Sequence, residues 1–95
     1  MPATVVYRDG NEKPDGSRYE MLAWSVPKGE DYPEGIKYRF QYMDADGSTL
    51  LRYDNSHYRE GIGMHHRHAV DSIEGIEFEG LTAHIRRFKE EIEQL

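Results

Sequence analysis

The sequence predicts an α+β fold, in which a small antiparallel β-meander of about five strands has a C-terminal helix packed on one face. Three observations support this prediction. Short stretches alternate polar and apolar residues and are separated by turn residues. The chain then ends in an apolar stripe with helical spacing. Finally, 95 residues suit one hydrophobic core, so we expect a single domain over residues 1–95, with strands within about 3–70 and the helix at about 80–94.

The first third of the chain predicts two strands and a loop. Residues 3–8 are rich in β-branched and aromatic side chains, and turn signals follow at 9–10 and at 14–17. Residues 18–26 alternate but are mostly apolar on both faces, which indicates a central strand. Residues 27–35 contain two Pro, two Gly and several acidic side chains, and we expect an exposed loop.

A hairpin is the clearest pattern in the middle of the chain. Residues 36–43 alternate strictly between large apolar and polar side chains. An Asp-Ala-Asp-Gly turn at 44–47 follows, and residues 48–54 return as the partner strand. If the turn is tight, Arg39 and Arg52 lie on the same face of the sheet.

The last third predicts a loop at 55–63, a final strand at 64–70 and a helix. Gly80 or Thr82 is the expected N-cap of the helix, although a start near Ser72 is also compatible with the pattern. The apolar stripe of the helix consists of Leu81, Ile85, Phe88, Ile92 and Leu95. His84 borders this stripe, so we predict a structural role for it.

Composition excludes several classes of protein. The absence of cysteine excludes disulfides and thiolate zinc sites. No apolar stretch approaches the ~18 residues of a membrane span, and the first ten residues lack a signal-peptide core, so we expect a cytoplasmic protein without a membrane partner. The net charge of −6 opposes broad adhesion to nucleic acid. However, residues 36–70 hold five basic against four acidic residues and four of the five histidines.

The first candidate cluster contains Arg52, Asp54 and His57. On a strand, Arg52 and Asp54 point to the same face, and His57 follows just after the strand. An arginine can bind phosphate, a histidine can move a proton and an aspartate can orient either of them. The alternative is a cross-strand ion pair followed by an ordinary turn.

The second candidate cluster is the His-His-Arg-His run at 65–68. A strand would direct His66 and His68 to one face, where they could transfer protons or contact phosphate. The same spacing suits a Zn, Ni or Cu site if His57 or Asp54 supplies a third ligand. Solvent-facing histidines are the remaining alternative.

Together these motifs resemble the TumE-type toxin family. The resemblance covers residues 19–95 approximately, and it rests on Tyr-Arg-Phe-Gln-Tyr at 38–42, on Arg-Tyr-Asp-Asn at 52–55 followed by His57, and on the run at 65–68. The resemblance implies the toxin of a toxin–antitoxin pair, with a helix-turn-helix antitoxin as its protein partner. The chain departs from the family pattern at Tyr58, where a second histidine is common.

With the resemblance, the favoured hypothesis is a ribonuclease that acts on RNA and requires no metal or other cofactor. The proposed catalytic residues are His57, His66, His68 and Asp54. The proposed substrate-binding residues are Arg39, Arg52 and Arg67. The alternatives are a protein-interaction module without catalysis and a metal-binding protein based on histidine.

Overall fold

The structure, a computed structural model, describes residues 3–95, and in this range it contains six strands and one helix. The elements are β1 (Thr4–Glu12), β2 (Arg18–Ser25), β3 (Ile36–Met43), β4 (Thr49–Asp54), β5 (His66–Ala69), β6 (Ser72–Gly75) and α1 (Leu81–Ile92). The strands form one sheet in sequence order, and every neighbouring pair is antiparallel. The predicted α+β meander with a C-terminal helix is therefore confirmed, with six strands instead of about five.

Two local predictions were wrong. The extra strand, β6, lies beyond the predicted strand range, in a segment where a helix starting near Ser72 was the alternative. All four residues of β6 are exposed, so the segment has no buried face that would produce a periodic pattern in the sequence. In addition, β1 continues through the turn signal at Asp9 and Gly10, because these residues pair with β2. The chain reverses later, where the Lys13 amide donates to the Ser17 carbonyl over 2.7 Å.

The hydrophobic core lies between α1 and one face of the sheet, which we call the helix face. Its buried residues are Met21, Ala23, Tyr38, Phe40, Tyr42, Leu51, Tyr53, Phe88 and Ile92. The helix begins after Gly80, whose φ of 105° is in the region that favours glycine. Within residues 3–95, no helix is long and apolar enough to cross a membrane.

The opposite face of the sheet is not covered by α1, and we call it the open face. Side chains alternate between the faces along each strand, and the register determines which of them meet. Asp54 lies opposite Arg39 on β3 and opposite His66 on β5, while Arg52 lies opposite His68. Five of the predicted site residues, on three strands, therefore share the open face: Arg39, Arg52, Asp54, His66 and His68.

His84 is buried against the core and almost completely shielded from solvent. It is 2% exposed and lies against the rings of Tyr38, Tyr53 and Phe78, with centroid separations of 4.7, 5.2 and 5.1 Å. Its Nε2 has no hydrogen-bond partner within residues 3–95. Burial in this apolar site, with a smaller contribution from His65, lowers the pKa of His84 to about 4. The predicted structural role of His84 agrees with this placement.

This burial predicts a pH-dependent stability. The unfolded chain binds a proton at His84 near pH 6.5, whereas the folded chain stays neutral until about pH 4. The free energy of unfolding should therefore fall as the pH is lowered through this window, by about 2 kcal/mol between about pH 7 and pH 5. Urea unfolding of the wild type and of His84→Leu measures the effect, and the variant should lack this part of the decrease. Equal pH dependence in both proteins would contradict the assignment.

Candidate functional site

Asp54 is the centre of a charged cluster on the open face. This last residue of β4 is only 7% exposed. Its Oδ1 lies 3.1 Å from His66 Nδ1, and its Oδ2 lies 2.8 Å from Arg52 Nε and 3.7 Å from His68 Nε2. The Nε–H group of Arg52 does not point at the oxygen, so that contact is a charge pair and not an aligned hydrogen bond.

The next residue in sequence holds the end of β4 in place. Asn55 is 1% exposed and its side chain extends the ladder to β3. Its Oδ1 accepts a hydrogen bond of 3.0 Å from the Tyr38 amide, and its Nδ2 donates one of 2.7 Å to the Ile36 carbonyl. Because both the oxygen and the nitrogen of the Asn55 side-chain amide are bonded to the backbone of β3, the position of Asp54 beside that strand is fixed.

His66 is held at both ring nitrogens and is 2% exposed. Nε2 lies 2.8 Å from the Gly63 carbonyl oxygen, which can only accept, so Nε2 carries a proton. Nδ1 is then directed at the Asp54 carboxylate. With both nitrogens occupied by protein groups, His66 is suited to orient Asp54 and not to exchange protons with a ligand.

His68 is more accessible than His66. It is partly exposed, and its Nε2 lies 3.3 Å from Arg52 Nη2. Burial, followed by the neighbouring Arg52 guanidinium, lowers the pKa of His68 from its ordinary value, despite the opposing effect of Asp54. A neutral ring accepts a hydrogen bond from Arg52 and offers an unprotonated nitrogen at neutral pH.

A cavity of about 230 Å³ opens onto this cluster. It is lined by Arg39, Arg52, Asp54, Ser56, His57, Arg59, His66 and His68. The structure therefore brings six of the seven predicted site residues together, and it adds Ser56 and Arg59. The sequence did not point to Arg59, because the segment 55–63 has no periodicity. The only local signal was the pair of glycines at 61 and 63, whose φ values of 81° and 99° shape the turn that follows Arg59.

Arg67 is the predicted residue that does not join the others. It alternates to the helix face, where its Nε lies 3.1 and 2.9 Å from the two carboxylate oxygens of Glu91. Its Nη1 also lies 3.2 Å from Glu74. Tyr53 donates a hydrogen bond to the same Glu91. The guanidinium thus ties β5 to α1 and β6, and it is on the opposite side of the sheet from the cavity.

Comparison with known proteins identifies the family. A family model described as Toxin TumE matches residues 3–95. The chain belongs to the TumE toxin family. No match was found among curated proteins or among solved structures. Membership in a toxin family implies an antitoxin as the partner of this TumE-family protein.

Tyr58, which departs from the family pattern, lies outside the charged cluster. Its side chain is 69% exposed. Together with His57 it lines a separate cavity of about 310 Å³ that faces the loop before β3. The departure therefore leaves the contacts among Arg52, Asp54 and His66 intact.

The cluster predicts a stability cost for removing its carboxylate. Asp54→Ala leaves Arg52 beside His66 without the anion between them, so we expect a loss of about 2–3 kcal/mol in the free energy of unfolding. Asp54→Asn keeps an acceptor oxygen for His66 and should lose less. Asp31→Ala removes an exposed carboxylate with no ion pair in residues 3–95, and it should change stability by less than about 0.5 kcal/mol. Equal effects at Asp54 and Asp31 would contradict the buried pairing.

Proposed function

We propose that this TumE-family toxin cleaves RNA in the cytoplasm without a metal ion and that a helix-turn-helix antitoxin inhibits it. The observation that carries the proposal is a neutral, partly exposed His68 beside the Arg52 guanidinium at the cavity. Phosphodiester transesterification uses a base for the 2′-OH, an acid for the leaving oxygen and a cation for the charge on the phosphorane, and this pair offers the first and the third. Family membership supports the toxin role and leaves the reaction to be tested.

In the proposed reaction, His68 Nε2 removes the proton from a ribose 2′-OH. The resulting oxygen attacks the adjacent phosphorus, and the bond from phosphorus to the 5′ oxygen breaks. Protonated His57 gives its proton to the leaving oxygen, so the products are a 2′,3′-cyclic phosphate and a 5′-hydroxyl. Both histidines line the same cavity, which allows one to act as base and the other as acid.

The arginines of the cavity supply positive charge in this proposal. Arg52 and Arg39 would stabilise the negative charge that builds up on the phosphorane. Asp54 and His66 are positioning residues: Asp54 orients Arg52, and His66 holds Asp54. Arg67 has a structural role in this scheme, because Glu91 and Glu74 occupy its guanidinium.

Cleavage of a fluorescent RNA oligonucleotide in the presence of EDTA tests the proposal. The purified toxin, separated from its antitoxin, should cleave it, and His68→Ala or His57→Ala should lower kcat/KM by about 10²- to 10⁴-fold. Arg86→Gln is the matched control, since it removes an exposed charge on the helix; it should retain activity. Full activity of His68→Ala, or no cleavage by the wild type, would refute the mechanism.

A metal centre is the second candidate, and one observation favours it. Possible ligand atoms of Asp54, His66 and His68 lie within 4.8 Å of one another. Two histidines and a carboxylate form a known metal-binding set, and the bond from His66 Nε2–H to the Gly63 carbonyl is typical of a metal-ligating histidine. Against this candidate, the cationic Arg52 lies beside two of the three ligands, where it would repel a metal ion.

Calorimetric titration with Zn²⁺ separates the two candidates. Under the metal-independent proposal, the wild type and His66→Ala should show the same weak heats, and EDTA should leave RNA cleavage unchanged. Stoichiometric Zn²⁺ binding that disappears in His66→Ala, combined with loss of cleavage in EDTA, would instead establish the metal centre.

A further inference from the structure

We infer that single-stranded RNA is held across the open face, along a path that leads from the histidine cluster through Arg39 to Arg8. This inference rests on the proposed RNA-cleaving function and specifies how the substrate is bound beyond the reacting phosphate. Arg8, on β1, was not among the residues predicted from sequence. The path crosses β4, β3, β2 and β1 in turn.

The first argument is the separation of charge between the two faces. The strand register places five basic residues on the open face, namely Arg8, Arg18, Lys37, Arg39 and Arg52. It places three carboxylates there, namely Glu12, Glu20 and Asp54. The face is therefore net positive in a chain of net charge −6. Two of its carboxylates are already paired, Glu20 with Arg18 at 3.8 Å and Asp54 with Arg52 at 2.8 Å. Such a face attracts a polyanion while the rest of the molecule repels it.

The second argument is the continuity of the surface. A third cavity, also of about 310 Å³ and distinct from the one beside Tyr58, shares the lining residue Arg39 with the site cavity. Arg8, on β1, also lines this third cavity. The register aligns Arg8 with Leu22 and Leu22 with Arg39, so the two arginines are two strands, or about 10 Å, apart. A chain of phosphates can therefore leave the site and continue over Arg39 toward Arg8.

The third argument is the availability of these two cations. Arg8 and Arg39 are both exposed, and neither forms an ion pair with the part of the chain that the structure describes. In contrast, Arg67 on the helix face is fully occupied by two carboxylates. An arginine without a protein partner can neutralise a phosphate of the RNA. The counterion condensed at that phosphate is then released, which favours association.

The fourth argument concerns the bases. Leu22 and Trp24 are partly exposed on the open face, next to this path. Lys37 Nζ lies 5.6 Å from the centroid of the Trp24 ring. An aromatic ring beside a cation is a common surface for an unpaired base, since stacking tolerates every base. This feature favours single-stranded RNA over an acidic protein segment, which would use the arginines but not the ring.

Trp24 provides an intrinsic probe, because it is the only tryptophan in the chain. Titration of His68→Ala, which should not cleave, with a short oligouridine should change the Trp24 fluorescence. Combining Arg8→Gln with His68→Ala should weaken oligouridine binding. The slope of log affinity against log salt concentration should also fall by about 0.7, the value for one phosphate contact on a single strand. Arg86→Gln in the same background removes one charge from the helix side and should leave the affinity and slope unchanged. Thermal melts check that each variant is folded.

The outcomes separate this inference from the proposed function. Cleavage of RNA by the wild type, with equal oligouridine affinity in Arg8→Gln and its parent, would overturn the path and keep the ribonuclease. Binding that depends on Arg8 and changes Trp24 fluorescence, without cleavage, would keep the path and overturn the ribonuclease. A poly-glutamate peptide that binds as tightly as RNA, with the same loss in Arg8→Gln, would overturn the assignment to RNA in favour of an acidic protein segment.

Discussion

The rest of the site depends on one carboxylate, that of Asp54, in a largely buried position between two strands. A buried anion is unfavourable unless charged or polar groups compensate it. Here the Arg52 guanidinium does so from one side, while His66 contacts the carboxylate from the other. Each of these side chains is itself held, His66 by the Gly63 carbonyl and Arg52 by its contact with His68. Because these side chains hold one another in place, the positions of β4 and β5 and the geometry of the cavity are determined together.

The alternation of the strands allows neighbouring residues to serve opposite sides of the sheet. Tyr53 and Arg67 face α1, where both contact Glu91. Asp54 and His66, each adjacent in sequence to one of these two, face the cavity. Burial raises the pKa of Tyr53, and its hydrogen bond to Glu91 raises it further, so its hydroxyl remains protonated and continues to donate to Glu91. Attachment of the helix and the proposed chemistry at the cavity therefore use the same two strands without competing for side chains.

Periodicity explains what could be predicted from the sequence. Period 2 in β3 and β4 and the helical stripe from Leu81 to Ile92 each arise from one buried face, and the structure has both. Leu95, which was also assigned to the stripe, lies beyond the end of α1 and is 62% exposed. The same rule placed His66 and His68 together, but it also implied that Arg67 points away from them, which the functional grouping ignored. β6 escaped prediction because no residue in it is buried. Arg59 escaped because its position depends on a turn, whose geometry follows from long-range packing and not from local alternation.

The contact between Arg52 and His68 connects the electrostatics of the resting cluster with the proposed reaction. In the absence of substrate, the guanidinium donates to the nitrogen that would act as the base, so the base is occupied. Burial, and after it the Arg52 guanidinium, lowers the pKa of His68, which keeps the ring neutral but makes it a weaker base. A phosphate entering the cavity is a stronger acceptor than a neutral imidazole, and it would draw Arg52 toward itself. In the proposed reaction, substrate binding would thus free Nε2 and reduce the effect of Arg52 on the ring. Arg52 would pass from protecting the base to stabilising the phosphorane, which explains why one arginine contacts both Asp54 and His68.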